Sequence, residues 1–84
     1  MKSNKNSFDI VRRSLIVALQ LDEVEAESID ATTTSASLEK WNSLTHVTLF
    51  LELEDSLGIR FDVDEIVELA SVKAIVRAVE GREG

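Results

Sequence analysis

The chain contains no cysteine and no proline, and only three of its 84 residues are glycine. Without cysteine it has neither disulfide bonds nor thiolate metal sites, which is typical of a protein from a reducing compartment. The absence of proline, with two of the glycines in the last four residues, favours helices over a turn-rich β fold. A chain of this length provides one small core, so we expect a single domain over residues 1–84.

Long hydrophobic runs are also missing. No segment approaches the roughly 18 apolar residues that indicate a membrane span. Residues 1–9 are mostly polar and no apolar run follows them, which is unlike a secretory signal. We therefore expect a soluble, cytoplasmic protein that does not insert into a membrane.

Positive charge is scarce, with nine Lys and Arg residues against 16 Asp and Glu residues and a net charge of −7. This balance argues against nucleic acid as a partner, because phosphates would repel the protein. The acidity is concentrated in residues 48–69, where Arg60 is the one basic residue. Either this segment meets basic partners, or its charge only keeps the protein soluble.

The first predicted helix begins at Ser7, whose hydroxyl can cap the exposed N–H groups of the first turn. Apolar residues then recur at three- and four-residue spacing, which indicates one stripe for burial. This stripe consists of Phe8, Val11, Leu15, Ala18 and Leu19. Residues 22–42 predict a long connection, with Ile29, Leu38 and Trp41 as its core anchors. The threonine and serine residues between these anchors are expected to bury nothing.

The second predicted helix covers residues 43–57 and ends at Gly58, a left-handed cap. Its apolar side chains fall on two faces, one with Leu49, Phe50, Leu53 and Leu57, the other with Leu44, Val47 and Leu51. Because a helix in a small bundle needs one apolar face, the second group is either further core or a surface for a partner. Its neighbours Thr48, Glu54 and Asp55 favour a partner surface with an acidic border.

Two shorter segments complete the pattern. Phe61 is expected to enter the core, and a short third helix around residues 64–70 offers Ile66 and Leu69 to it. The last helix begins after Ser71, a plausible N-cap. One face of this helix carries four apolar residues, Val72, Ile75, Val76 and Val79.

These segments together predict an all-α fold, a four-helix bundle. It consists of three longer helices and a short third helix, with a long loop between helices one and two. Residues 1–6 and 81–84 are expected to be frayed tails.

The second predicted helix opens with the motif Trp-Asn-Ser-Leu-Thr-His-Val, residues 41–47. This motif resembles the acyl carrier protein signature, in which Asp-Ser-Leu begins the second helix and the serine receives phosphopantetheine. Residues 53–75 are similar to the end of that helix, the short third helix and the start of the fourth. The resemblance to the family is close over residues 38–79 and extends to residues 8–21 by pattern only.

The resemblance implies that Ser43 carries 4′-phosphopantetheine, taken from coenzyme A, and that the protein is a carrier rather than an enzyme. Acyl intermediates would be bound as thioesters and presented to enzymes of fatty acid, polyketide or related metabolism. The implied partners are a phosphopantetheinyl transferase and acyl-processing synthases, transferases and reductases with basic docking patches, and the carrier is expected to be a monomer. The expected docking residues are Leu44, Val47, Thr48, Leu51, Glu54 and Asp55.

Physical reasoning independently supports Ser43 as the attachment residue. The arm is joined through a phosphodiester, which is an anion. A helix N-terminus presents free N–H groups and the positive end of the helix dipole, which stabilise an anion by ~0.3–1 kcal/mol. Taken alone, however, Ser43 or Asn42 would more often be a plain helix cap.

One residue departs from the family pattern, because Asn42 stands where the family usually has aspartate. Asparagine caps a helix about as well as aspartate, so the fold should be unaffected, while the missing charge is expected to weaken recognition by the transferase.

Two alternative functions remain open, a free-standing aminoacyl or peptidyl carrier and an unmodified interaction module. A hydrolase using Ser43 and His46 is a further one, although no orienting carboxylate or oxyanion-hole loop is evident. On the helical wheel His46 falls beside Phe50, at the mouth of the core.

Two other features receive simpler interpretations. Trp41 is expected to be a packing anchor, with stacking on the arm as the alternative. Asp62 and Asp64 are spaced as in a calcium loop, but Val67 and Lys73 occupy the positions that require glycine and glutamate. No metal site is therefore expected.

Overall fold

The computed structural model describes residues 7–83, and residues 1–6 and Gly84 lie outside the description. Within the described residues the chain forms five α-helices and no β-strand, with one isolated antiparallel bridge between Thr34 and Ser71. The helices are α1 (Ser7–Leu19), α2 (Glu23–Glu27), α3 (Ser43–Leu57), α4 (Val63–Glu68) and α5 (Val72–Glu83). The all-α prediction is confirmed, and α2 is an additional helix that has no counterpart in it.

The core lies where α1 packs against α3 and α5. The apolar stripe of α1 is buried as predicted, with Phe8 half-buried at its edge. The two-face prediction for α3 is also confirmed, because one apolar group is buried, with Leu57 half-buried, and the other is exposed. The largest fully buried side chains are Val11, Leu15, Leu49, Phe50, Leu53, Val72, Ile75 and Val79.

The long connection between α1 and α3 is partly helical, which corrects the prediction of a continuous loop. At the start of α2, the Glu25 N–H donates to Asp22 Oδ1 at 2.8 Å and the Asp22 N–H donates to Glu25 Oε1 at 3.1 Å. This reciprocal pair is a capping box, which satisfies two of the free N–H groups at a helix start. The spacing Asp-x-x-Glu was the sequence signal for this helix.

The threonine and serine run in the same connection is also more ordered than predicted. Thr33 is only 6% exposed, and its hydroxyl accepts the Asp30 N–H at 2.9 Å. The Val72 N–H donates to the Thr33 carbonyl, and the Ser35 N–H donates to the Ala70 carbonyl, each at 2.9 Å. The expectation that this run buries nothing is wrong, because Thr33 is buried where the run is hydrogen-bonded to Ala70 and Val72 at the start of α5.

The helix ends agree with the sequence in most places. Gly58 ends α3 with φ +68°, the left-handed conformation predicted for it. Ser71 caps α5, because its Oγ accepts the Ala74 N–H at 3.1 Å. The short helix α4 begins and ends slightly earlier than the predicted 64–70.

The last helix α5 continues to Glu83, so the tail predicted to fray from residue 81 is helical up to that residue. None of the described helices is long and apolar enough to cross a membrane.

Candidate functional site

The site is built at the start of α3, where Asn42 is the N-cap and Ser43 is the first helical residue. Asn42 Oδ1 accepts the N–H groups of Leu44 at 3.0 Å and Thr45 at 3.1 Å. In return, the Asn42 N–H donates to Thr45 Oγ1 at 2.8 Å. The amide of Asn42 therefore caps this helix fully, as expected for asparagine in place of aspartate.

Ser43 is exposed, and none of the hydrogen bonds within the described residues uses its hydroxyl or its backbone N–H. Because Asn42 already caps the helix, the Ser43 hydroxyl has no capping role to fill. The positive end of the helix dipole and a free N–H group at this position suit an attached anion. The residues present therefore fit a phosphodiester on Ser43.

An apolar groove of about 520 Å³ begins at Ser43 and runs between α3, α4 and the preceding connection. We name it the Ser43 groove. This volume lies within the range of small-molecule sites, roughly 300–1,000 Å³. Its lining residues are Ser35, Trp41, Asn42, Ser43, His46, Val47, Val63, Ile66, Val67 and Ala70. Most of them are apolar, so the groove suits a hydrocarbon chain better than a charged one.

His46 and Trp41 form a hydrogen-bonded pair in this groove. The Trp41 Nε1–H donates to His46 Nδ1 at 2.8 Å. Indole nitrogen is only a donor, so Nδ1 is the acceptor and the proton of the neutral ring lies on Nε2. That Nε2–H donates to the Ile66 carbonyl at 2.5 Å.

This pairing bears on the serine hydrolase alternative. A general base must accept the proton of the serine hydroxyl. In His46 the one acceptor nitrogen is bonded to Trp41 and the other nitrogen donates to α4. No hydrogen bond joins Ser43 to His46 within the described residues, so the observed arrangement does not support a Ser43–His46 nucleophile and base.

The residues predicted to dock partners divide into two groups. Leu44 is 76% exposed, Val47 51% and Leu51 60%, so the second apolar face of α3 is open to solvent. Thr48 and Asp55 beside it are exposed as well.

Glu54 is different, because it is half-buried and its Oε2 accepts the Phe61 N–H at 2.8 Å. It holds the chain between α3 and α4, a contact that the sequence pattern did not indicate.

Two exposed residues that the sequence analysis did not select belong to the same surface. Val63 is 75% exposed and Val67 is 71% exposed, and both line the Ser43 groove from α4. Their spacing of four places them on one side of α4, while the half-buried Ile66 beside them and Leu69 just past the helix end pack against the core. The sequence did carry a signal for this surface. A short helix that has more apolar residues than its core face needs also exposes apolar residues to solvent.

The position of α4 is fixed by Arg82, which reaches across from α5. Its guanidinium donates to the Glu65 carboxylate and to the Arg60 carbonyl, and it lies 4.4 Å from the centre of the Phe61 ring. The hydrogen bond from Arg82 lowers the pKa of Glu65 below its ordinary value. Together with the hydrogen bond between His46 and the Ile66 carbonyl, this contact holds α4 through two adjacent residues, Glu65 and Ile66.

The connection that forms the other side of the groove is fixed by Lys40, which donates to Glu25 Oε1 at 2.8 Å. This bond lowers the pKa of Glu25 and raises the pKa of Lys40.

Within residues 7–83 no three metal-ligating side chains lie close enough to hold an ion. The Asp62 N–H is bonded to Glu65 Oε1 at 3.0 Å, as at a helix start.

A helical bundle with an exposed, uncommitted serine at a helix start is the arrangement of a carrier domain. A family model described as the phosphopantetheine attachment site matches residues 15–79 of the chain. The chain belongs to this family, whose prosthetic group is 4′-phosphopantetheine. A comparison with curated proteins finds no match.

Proposed function

We propose that this protein is an acyl carrier in which Ser43 bears the 4′-phosphopantetheine arm. The observation that supports this most directly is the division of roles at the start of α3. Asn42 caps the helix with its own side chain and leaves the Ser43 hydroxyl exposed and unbonded among the described residues. A transferase can reach such a hydroxyl without unfolding the helix.

In the attachment reaction, the phosphopantetheinyl transferase moves the phosphopantetheine part of coenzyme A to Ser43. Ser43 Oγ forms the new bond to the phosphorus next to pantetheine, and the pyrophosphate bond breaks. Adenosine 3′,5′-bisphosphate leaves, and the hydroxyl proton passes to a base of the transferase. The bound group then supplies a thiol on a flexible arm, to which a carried group is joined as a thioester.

The lining of the Ser43 groove favours an acyl group over an aminoacyl or peptidyl group as the cargo. Val47, Val63, Ile66 and Val67 offer apolar surface. Trp41 Nε1 and His46 Nδ1 are already paired with each other, and His46 Nε2 is paired with the Ile66 carbonyl. A charged amino group placed there would lose hydration, and no carboxylate in the lining would pair with it. Fatty acid, polyketide and related acyl pathways are all consistent with this preference.

The loading of Ser43 is tested by intact mass. The protein is incubated with coenzyme A and a broad-specificity phosphopantetheinyl transferase, as wild type and as Ser43→Ala. Ser56→Ala is the matched control, because Ser56 is another exposed serine of α3. We expect one arm-sized gain in mass in the wild type and in Ser56→Ala, and none in Ser43→Ala.

Each of the other results has a clear meaning. No gain in the wild type would refute the proposal and favour an unmodified interaction module. A gain in Ser43→Ala would move the attachment to another residue. Labelling by a serine-directed phosphonate without coenzyme A would point to a hydrolase instead.

We further propose that partner enzymes dock on the exposed apolar face of α3 and α4. Leu44, Val47 and Leu51 provide its centre, and Val63 and Val67 extend it across the groove. Thr48 borders it, and Glu54 and Asp55 attract Lys and Arg side chains of the partner, which speeds association more than it strengthens the complex. Such contacts are short-lived, as a carrier that visits several enzymes requires.

The docking surface is tested with Leu51→Glu and Asp55→Lys, two exposed positions. Glu54 is avoided, because replacing it would also break its bond to the Phe61 N–H. We expect both variants to remain folded and loaded but to transfer their acyl group to a synthase more slowly than Lys73→Glu, an exposed control on α5. Unchanged transfer in both would exclude this surface.

A further inference from the structure

The Trp41–His46 pair forms the part of the Ser43 groove lining that lies against the aromatic core. Trp41 belongs to the connection, His46 to α3, and the Ile66 carbonyl that receives the His46 Nε2–H belongs to α4. One chain of hydrogen bonds therefore ties together all three segments that form the groove. The exposed surfaces of Val63 and Val67 lie at its open side.

The core begins directly behind this pair. The His46 ring lies edge-on to Phe50 with 5.0 Å between ring centres, and Phe50 meets Phe61 in the same way at 5.0 Å. Phe50 is 1% exposed and does not line the groove, whereas His46 does. His46 thus separates the groove from the aromatic part of the core.

Passing this barrier would require breaking both hydrogen bonds of His46. Trp41 is only 4% exposed, so its N–H would be left without a partner in apolar surroundings. No side-chain polar atom buried within the described residues lacks a partner as the protein stands. The closed arrangement is therefore the favoured one.

We propose that the Trp41–His46 pair sets the length of acyl chain that the Ser43 groove covers. This inference rests on the proposed function, because the chain reaches the groove only when it is tethered at Ser43. A short acyl chain lies along the groove and its thioester is shielded from water. The end of a longer chain meets His46 and stays in solvent, so added length brings no added protection.

The test measures how fast hydroxylamine cleaves the thioester on carriers loaded with butanoyl, octanoyl, dodecanoyl or hexadecanoyl groups. In the wild type we expect protection to level off within this series. His46→Ala removes the barrier, and protection of the longest chains should rise by at least about fivefold. This is the ratio that corresponds to about 1 kcal/mol for one unsatisfied hydrogen-bond donor.

A second variant covers the case in which His46→Ala does not fold. Trp41→Phe keeps an aromatic ring as the anchor but has no N–H to leave unpaired, so the barrier opens at lower cost. Val17→Ala is the control, because Val17 is 53% exposed on α1 and does not line the groove. Circular dichroism establishes which variants are folded, and intact mass confirms that each carries its arm and its acyl group.

An independent signal comes from Trp41, the single tryptophan of the chain. In the wild type its fluorescence should change with acyl length up to the length at which the protection levels off. In His46→Ala the fluorescence should continue to change with chains longer than that. Identical length profiles in the wild type and in every folded opening variant would overturn the inference while the arm mass upholds the proposed function. Protection that keeps rising across the whole series in the wild type would overturn it too. A wild type without the arm would remove the proposed function and this inference together.

Discussion

At the scale of single residues, the sequence predicts well the contacts that are made within a few positions of the chain. The cap at Asn42 and the exposure of Ser43 follow from helix-start chemistry alone. The partners of His46 and Glu54 could not be predicted in this way. His46 is bonded to α4 and Glu54 to the chain before it, and neither pairing leaves a regular spacing in the sequence.

Glu54 provides a prediction at this scale. Glu54→Ala leaves the Phe61 N–H without its charged acceptor, and we expect the free energy of unfolding to fall by about 1–2 kcal/mol. The change is measured as a lower midpoint in urea denaturation.

Asp55→Ala is the matched control for Glu54. Asp55 is an exposed carboxylate in the same turn of α3, and its removal should change the unfolding free energy by about 0.5 kcal/mol or less. Equal midpoints for the two variants would show that Glu54 is only a surface charge.

At the scale of elements, the periodic patterns of α1, α3 and α5 fix which of their faces are buried, because a core selects for apolar residues at helical spacing. The short helix α2 leaves too few residues for such a pattern and is visible only through its capping box. The loop residue Thr33 gives no local signal of burial. Its burial results from pairing with Val72, far along the chain.

The end of α3 provides a prediction at this scale. A methyl group added at Gly58 meets no atom within 4 Å, so Gly58→Ala tests only the backbone, whose φ is +68°. An L-residue in this conformation costs roughly 1–2 kcal/mol, and we expect a loss of stability of about 1 kcal/mol. Thermal unfolding followed by circular dichroism measures this loss.

Gly81→Ala is the control for Gly58, because it also meets no atom within 4 Å but lies in α5 with ordinary helical backbone. Alanine is the better helix former, so this variant should gain up to about 0.5 kcal/mol near the helix end. Stability changes of the same sign at the two glycines would contradict the assignment of Gly58 as a left-handed cap.

At the scale of the whole molecule, two ion pairs join segments that are distant in sequence. Lys40 links the end of the long connection to Glu25 in α2, and Arg82 links α5 to Glu65 in α4. The pKa values of Glu25 and Glu65 are both lowered, chiefly by hydrogen bonds from these basic side chains. Together the pairs hold both sides of the Ser43 groove.

These pairs predict loss of stability in acid. A carboxylate whose pKa is lowered by folding contributes stability above its unfolded pKa, and the contribution disappears as the pH falls through the folded pKa. We therefore expect the midpoint of thermal unfolding to fall as the pH is lowered below about 5. Glu65→Gln should weaken this dependence, and Asp64→Asn, next to it in α4, is the control. A dependence that is the same in both variants would exclude the Arg82 pair as a source.

The cap at Asn42 has a consequence for where this carrier can work. A carboxylate in that position would take up a proton in acid and release the backbone amides that it holds, whereas a carboxamide oxygen has no proton to take up. The Asn42 cap of α3 is therefore indifferent to proton concentration, even where the carboxylate links elsewhere in the fold are failing. In acid the bundle should loosen at the connection and at α4 before the Asn42 cap beside Ser43 opens.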